Sequence, residues 1–185
     1  LMADLAGSDD MDDRGRRETA SEIGDVASEL GTSLAELVGT LRPGGASLEA
    51  LAKQMAERGR GLFPGEATLF STSFPDAWPD RPLDLSVRRD LFLIGAEALH
   101  NSARHAGARS VRLSLEPEGS RWLLAVEDDG RGMPEDAGPV EGLGLLSMRR
   151  RAHRIGADLR IERPAGGGTR VSASFDPRRV PRGSR

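Results

Sequence analysis

With 185 residues, 37% of them hydrophobic, the chain can build one domain with a real core plus an accessory segment. The absence of cysteine excludes disulfide frameworks and thiolate metal sites, and a 4% aromatic share without tyrosine leaves packing to Leu, Val, Ile and Ala. A net charge of −3 argues against a dedicated nucleic-acid binder, and no apolar run approaches the roughly 20 residues of a membrane span.

The N-terminal stretch, residues 1–18, is acidic and interrupted by glycine, with Asp9, Asp10, Asp12 and Asp13 close together; it shows no signal-peptide pattern, and its composition predicts disorder. From Thr19, the residues Ile23, Val26, Leu30, Leu34, Leu37 and Leu41 recur at three- and four-residue steps, which predicts an amphipathic helix. Gly24, Gly31 and Gly39 weaken it, each costing ~1 kcal/mol against alanine. Pro43-Gly44-Gly45 ends that helix, and Ser47 caps a shorter one bearing Leu48, Leu51, Met55 and Leu62. The pattern groups residues 19–62 as one helical segment, followed by a compact domain over 63–176 and a flexible basic tail over 177–185. That tail partly resembles a protease-cleavage sequence and is set outside the functional reading.

Within the compact domain, Ala67 to Phe74 reads as a strand, and Pro75, Pro79 and Pro82 mark an extended connector. Ser86 is placed to cap a long helix that reaches about Ala106, with Gly107 as its stop. Val111, Leu113 and Leu115 alternate with polar residues as a half-buried strand does, and Pro117 to Ser120 reads as a turn. Trp122 to Glu127 is apolar at nearly every position, which suits a central strand. A Gly-rich loop from Asp128 to Gly144 leads into a helix with Leu145, Met148, Ala152 and Ile155. Two short strands follow, Asp158 to Glu162 and Thr169 to Phe175, around the turn Ala165 to Gly168. The expected fold class is α/β, a two-layer α/β sandwich with a mixed sheet and helices on one face.

Three polar or glycine clusters interrupt this pattern. On the long helix, Glu97 and Asn101 stand four apart and share a face, with Arg104 a turn further and His105 beside it. A carboxylate, an amide and a guanidinium in succession suit a metal-bound polyphosphate, although such a row also occurs on ordinary solvated helix edges. The second cluster, Asp128-Asp129-Gly130-Arg131-Gly132, ends an apolar strand. There a carboxylate can accept from a buried amine and glycines allow close backbone approach, though Asp-Asp-Gly is also common turn chemistry. The third, Gly142-Leu143-Gly144-Leu145, opens a helix whose free N–H groups can hold an anion. Each signal alone is weak, and none matches a P-loop or a dinucleotide fingerprint.

Taken in order, Glu97-x-x-x-Asn101, Asp128-x-Gly130-x-Gly132, Gly142-x-Gly144 and Gly168-Thr169 resemble the Bergerat-type ATPases, which include gyrase, mismatch-repair ATPases and histidine kinases. The phrases Arg88 to Ile94, Glu97 to Ala106, and Gly142 to Leu145 followed by Met148 and Arg151-Ala152 resemble two-component sensor histidine kinases in particular. No Phe occurs between Phe92 and Phe175, as in the short-lid branch that includes nitrate-sensing kinases. The resemblance implies ATP and Mg²⁺ as ligands. It gives Asn101 the metal and Glu97 the orientation of a water or attacking group. Asp128 takes the adenine amino group with Thr169 in support, and Arg104 and His105 contact phosphate. Gly130, Gly132, Gly142, Gly144 and Leu145 form the lid and its base.

The sequence departs from the family pattern in three places. Asp129 stands where the family more often has Asn, and is expected to add negative charge near the nucleotide edge while its side chain faces solvent. His100 occupies a position usually small or polar. The third departure is the phosphoacceptor: the histidines are His100, His105 and His153, and none lies on the helices of residues 19–62. Those residues therefore resemble the second half of a dimerisation domain, with the acceptor helix elsewhere and homodimerisation through them as an option. The implied protein is a cytoplasmic catalytic fragment, or the cytoplasmic part of a membrane-bound sensor, that binds ATP without phosphorylating itself. Its implied partners are the phosphoacceptor helix and a response regulator. Two alternatives stay open: an anti-sigma-type serine kinase and a non-catalytic nucleotide-gated binding module.

Overall fold

The computed structural model describes residues 47–132 and 142–179. The acidic stretch, the helix expected from Thr19, residues 133–141 of the Gly-rich loop and the last six residues lie outside the described residues. The described elements are α1 (Leu48–Leu62), β1 (Leu69–Ser73), α2 (Leu85–Asn101) with a π-helical turn (Ser102–Ala106), β2 (Ser110–Glu118), β3 (Arg121–Asp128), α3 (Leu143–Ile155), β4 (Asp158–Glu162) and β5 (Thr169–Phe175). The strands form one sheet in the order β1-β2-β3-β5-β4. β1 runs parallel to β2, and every other pairing is antiparallel. The mixed α/β sheet expected from the sequence is the one observed, with β3 at its centre. Among the described residues, no helix is long and apolar enough to cross a membrane.

Period-two alternation explains both the core and the site. On β2 it buries Val111, Leu113 and Leu115, and on β3 it buries Trp122, Leu124 and Val126. One further step along β3 carries Asp128 to the same face, so a carboxylate ends an apolar file and is itself 5% exposed. Leu91, Ile94 and Leu99 of α2 and Met148, Ala152 and Ile155 of α3 close over this face in one continuous cluster.

Three local expectations are corrected. The cap of α2 is Asp84 rather than Ser86: Asp84 Oδ1 accepts from the backbone N–H of Ser86 at 2.8 Å and of Val87 at 3.4 Å, and Ser86 Oγ–H donates to the same oxygen. A carboxylate two residues earlier is the stronger acceptor, so it sets the start. Pro117 lies inside β2, opposite Trp122, and the turn narrows to Gly119-Ser120, with Gly119 at φ +61°. β1 stops pairing at Ser114, so beyond that point β2 is an edge, where proline is tolerated.

The third correction concerns α1. It begins at the expected cap, with Ser47 Oγ accepting from Ala50 N–H at 3.1 Å. Its apolar stripe, Leu48, Leu51, Ala52 and Met55, is not left for a second copy but sits in the same core as α2 and the sheet. Gly59 receives the Phe70 ring, which stacks on Phe63 at 5.7 Å, and Arg88 donates to Gln54 across the α1–α2 contact. A division at residue 63 would cut through this core.

Candidate functional site

A cavity of about 560 Å³ opens where the C-terminal end of α2, its π-helical turn, the end of β3 and the start of β5 converge. Asp128 forms its polar floor. Its Oδ1 accepts from the N–H of Gly130 at 3.0 Å and of Thr169 at 3.1 Å, and its Oδ2 accepts from Ser102 Oγ–H at 2.9 Å. An ionised carboxylate offers about four lone-pair directions. Three are taken by the protein, which leaves acceptor capacity for a donor entering the cavity. Ala98, Val126, Ile161, Val171 and Leu145 supply apolar walls, the mixture of flat apolar surface and few oriented polar groups that a purine requires.

The π-helical turn is the local device that builds this floor. A helix that widens for one turn rotates the following side chains, and such turns concentrate at functional sites. Here it places Asn101, Ser102, His105 and Ala106 along the cavity, and Gly107 at φ +59° then ends it as the sequence leads one to expect. Ala106 C=O accepts from Arg131 N–H at 3.0 Å, so the loop after β3 is tied to the turn.

The glycines serve close approach of backbone to backbone. A Cβ at Gly130 would stand 2.4 Å from Ala106 O, and one at Gly132 (φ +75°) would stand 2.9 Å from Gly168 O. Gly168, at φ +80°, lies so near Asp128 that a Cβ would come within 1.8 Å of its carbonyl oxygen. Gly142 is the N-cap residue of α3, and at Gly144 a Cβ would meet Glu97 Oε1 at 2.1 Å. Glu97 is therefore held against the first turn of α3, beside Leu145 on the cavity wall.

Of the residues singled out in the sequence, Asn101, His105, Asp128, Gly132, Leu145 and Thr169 line the cavity. Glu97 and Gly144 meet next to it, Gly130 and Gly142 shape its edges, and Arg104 is exposed outside the lining. Asp129 has a different task from the one expected: its Oδ1 accepts from the N–H of Arg109 at 2.8 Å and of Ser110 at 2.9 Å, which anchors the start of β2. Sequence reasoning missed Ser102, Arg131 and Arg163. Ser102 follows Asn101 directly, and only the π-turn, which has no sequence signature, brings it to Asp128. Arg163 enters from the loop after β4, where its guanidinium lies beside Gly132. A larger depression of about 1040 Å³ on the open sheet face contains none of the predicted residues. It is lined by satisfied polar groups such as Arg121 with Ser174 and Arg160 with Asp158.

Comparison with known proteins agrees with this geometry. Residues 86–179 match the family described as histidine kinase-, DNA gyrase B- and HSP90-like ATPase. The chain is 37% identical over 99 residues to the nitrate/nitrite sensor protein NarQ of Escherichia coli, a match covering 52% of this chain and 17% of that protein. It is 39% identical over 98 residues to the signal transduction histidine-protein kinase/phosphatase UhpB of Salmonella typhimurium, covering 53% of this chain and 19% of that protein. The chain thus spans less than a fifth of either relative. The histidine kinase domain of the blue-light activated histidine kinase EL346 from Erythrobacter litoralis superposes with a TM-score of 0.65 at 21% identity. That superposition covers 87% of this chain and 82% of that one, a likeness of fold.

Proposed function

The chain belongs to the histidine kinase-, DNA gyrase B- and HSP90-like ATPase family, and on that premise we propose that its domain binds ATP and presents the γ-phosphoryl group to a histidine on a dimerisation helix, for relay to a response-regulator aspartate. The observation that carries this reading is Asp128, a buried carboxylate fixed by three donors with acceptor capacity left toward an apolar cavity. An exocyclic adenine amine is the donor that suits it. The acceptor histidine is not one of His100, His105 or His153, each of which lies within the ATPase domain itself.

The chain's own residues divide the work. Asp128 selects the base, and Leu145, Ile161 and Val171 exclude water from its faces. The phosphates lie toward the first turn of α3, where free N–H groups and the helix dipole favour negative charge. His105 reaches them from the π-turn, and Arg104 supplies a further positive charge outside the cavity. Glu97, held beside Gly144, orients the attacking imidazole. Asn101 is the oxygen ligand for Mg²⁺, which would neutralise phosphate charge when bound. Among the described residues no group of three or more His, Cys, Asp or Glu is placed to hold a cation, which fits a metal carried mainly by phosphate oxygens. Catalysis of this kind consists of positioning and charge neutralisation.

A serine kinase on the same fold would keep this site and differ in its acceptor. The 37% and 39% identities to sensor kinases favour histidine. Calorimetric titration with ATP and Mg²⁺ tests the nucleotide reading. Saturable binding is expected for the wild type and loss of binding for Asp128→Asn, and a wild type that does not bind overturns the proposal. Phosphate transfer to a supplied dimerisation domain, rather than to a serine-bearing partner, tests the acceptor.

A further inference from the structure

Two contacts fix α3 against α2, one at each end. Near the cavity, Gly144 abuts Glu97. At the far end, Asp90 of α2 is 0% exposed and accepts two hydrogen bonds from Arg154 of α3, Nε to Oδ2 at 2.7 Å and Nη2 to Oδ1 at 2.5 Å. Arg151 Nη1 stands 4.0 Å from the same Oδ1, and Arg89 Nε stands 3.8 Å away. Asp90 precedes Glu97 in sequence, whereas Arg154 follows Gly144, so the two helices run antiparallel. The Asp90 hydrogen bonds raise the Arg154 pKa above its ordinary value, against the desolvation that lowers it.

Stability does not explain such a pair. Desolvation of a buried carboxylate consumes much of its Coulomb energy, and apolar replacements are often as stable. What a buried bidentate pair does supply is register, because its planar fork is satisfied by one rotation and one translation of the helix. The apolar contacts of α3, through Met148, Ala152 and Ile155, have no such directionality. The first turn of α3 carries Leu145 on the cavity wall, so its register sets the shape of the site.

We propose that Asp90 is a positioning residue: by gripping Arg154 and Arg151 it fixes the register of α3, and so sets nucleotide affinity from the opposite end of that helix. This inference rests on the reading of the cavity as a nucleotide site. Arg154 has a side chain 49% exposed and can turn to water when its partner is removed, so the variants stay testable.

Two variants of the full chain separate positioning from stability. Asp90→Asn removes the charge at constant size, and Asp90→Leu combined with Arg154→Met replaces the pair by packing. ATP titration well below each thermal midpoint is combined with amide hydrogen exchange. Both variants are expected to raise Kd about tenfold, the order seen when a supporting side chain rather than a contact is removed. The paired variant recovers the wild-type midpoint without recovering Kd, and exchange accelerates over Leu143 to Met148 while the sheet stays protected. An unchanged Kd in both variants overturns the positioning role. If the wild type itself fails to bind ATP, it is the nucleotide reading that falls, and exchange then decides on the clamp: unaltered protection of Leu143 to Met148 in Asp90→Asn overturns it.

Discussion

Ser102 donates its hydroxyl proton to Asp128 Oδ2 at 2.9 Å, joining the π-helical turn to the end of the central strand. Both side chains are 5% exposed. The Ser102 hydroxyl also lies 3.2 Å from Ala98 O, so it bridges the preceding helical turn to the carboxylate. With the N–H groups of Gly130 and Thr169 on Oδ1, this bond leaves the carboxylate one fixed orientation.

Replacing Ser102 by alanine removes one of three donors to a buried charge. Hydrogen bonds to charged groups contribute about 1.5–3 kcal/mol, and water entering the cavity offsets part of the loss. The expected outcome is a Kd for ATP raised about tenfold, with urea unfolding showing a loss of about 1 kcal/mol. Retention of wild-type affinity would mean that the two backbone donors alone orient Asp128.

Gly168 gives a sharper test of the floor. Its φ of +80° is strained for any other residue, and a Cβ there would come within 1.8 Å of Asp128 O. Gly168→Ala therefore has to move β5 away from β3 at the point where Thr169 N–H reaches Asp128. A loss of about 2–4 kcal/mol is expected from chemical denaturation, together with loss of ATP binding. Gly166→Ala, in the same loop with open space around its Cβ position, is the matched control and is expected to change little.

Most of the fold could be read from the sequence because the strands alternate cleanly and the glycines fall at their ends. Asp158–Glu162 and Thr169–Phe175 coincide with the expected strands residue for residue. The role of α1 was not legible: an apolar stripe states that a helix face is buried without naming the surface that buries it, and Leu51 and Met55 meet α2 and the sheet rather than a second helix. Asp128 was visible as a carboxylate ending an apolar run. Ser102 was hidden, since its position depends on a π-turn that shifts it relative to a regular helix, and Arg163 was hidden because loop residues carry no periodicity.

The cap of α2 predicts an acid sensitivity. The Ser86 hydroxyl hydrogen bond, followed by the backbone N–H groups of Ser86 and Val87, holds the Asp84 carboxyl below its ordinary value of 3.8, while burial opposes the shift. A depressed folded-state pKa means that this stabilisation is complete above the ordinary carboxylate range and disappears as pH falls through the depressed value. Asp84→Ala is expected to cost about 1 kcal/mol near neutral pH, and that gap should narrow in acid. Urea unfolding of both proteins across the acid range checks it, and a gap independent of pH would remove Asp84 protonation as the cause.

Asn101 separates metal binding from base binding. It lines the cavity one residue before Ser102, and its amide is the neutral oxygen ligand nearest the phosphate side of the proposed site. Asp128, by contrast, is fully engaged by protein donors on three sides and faces the base. Asn101→Ala should therefore weaken ATP binding about tenfold when Mg²⁺ is present and hardly at all when the metal is chelated, because one ligand of a largely phosphate-held cation is lost. Asp128→Asn should abolish binding in both conditions, since the amide brings a donor to the place where an acceptor is needed. Parallel titrations of both variants with and without chelator read this difference directly. An equal loss for Asn101→Ala under both conditions would assign Asn101 to the nucleotide itself rather than to the metal.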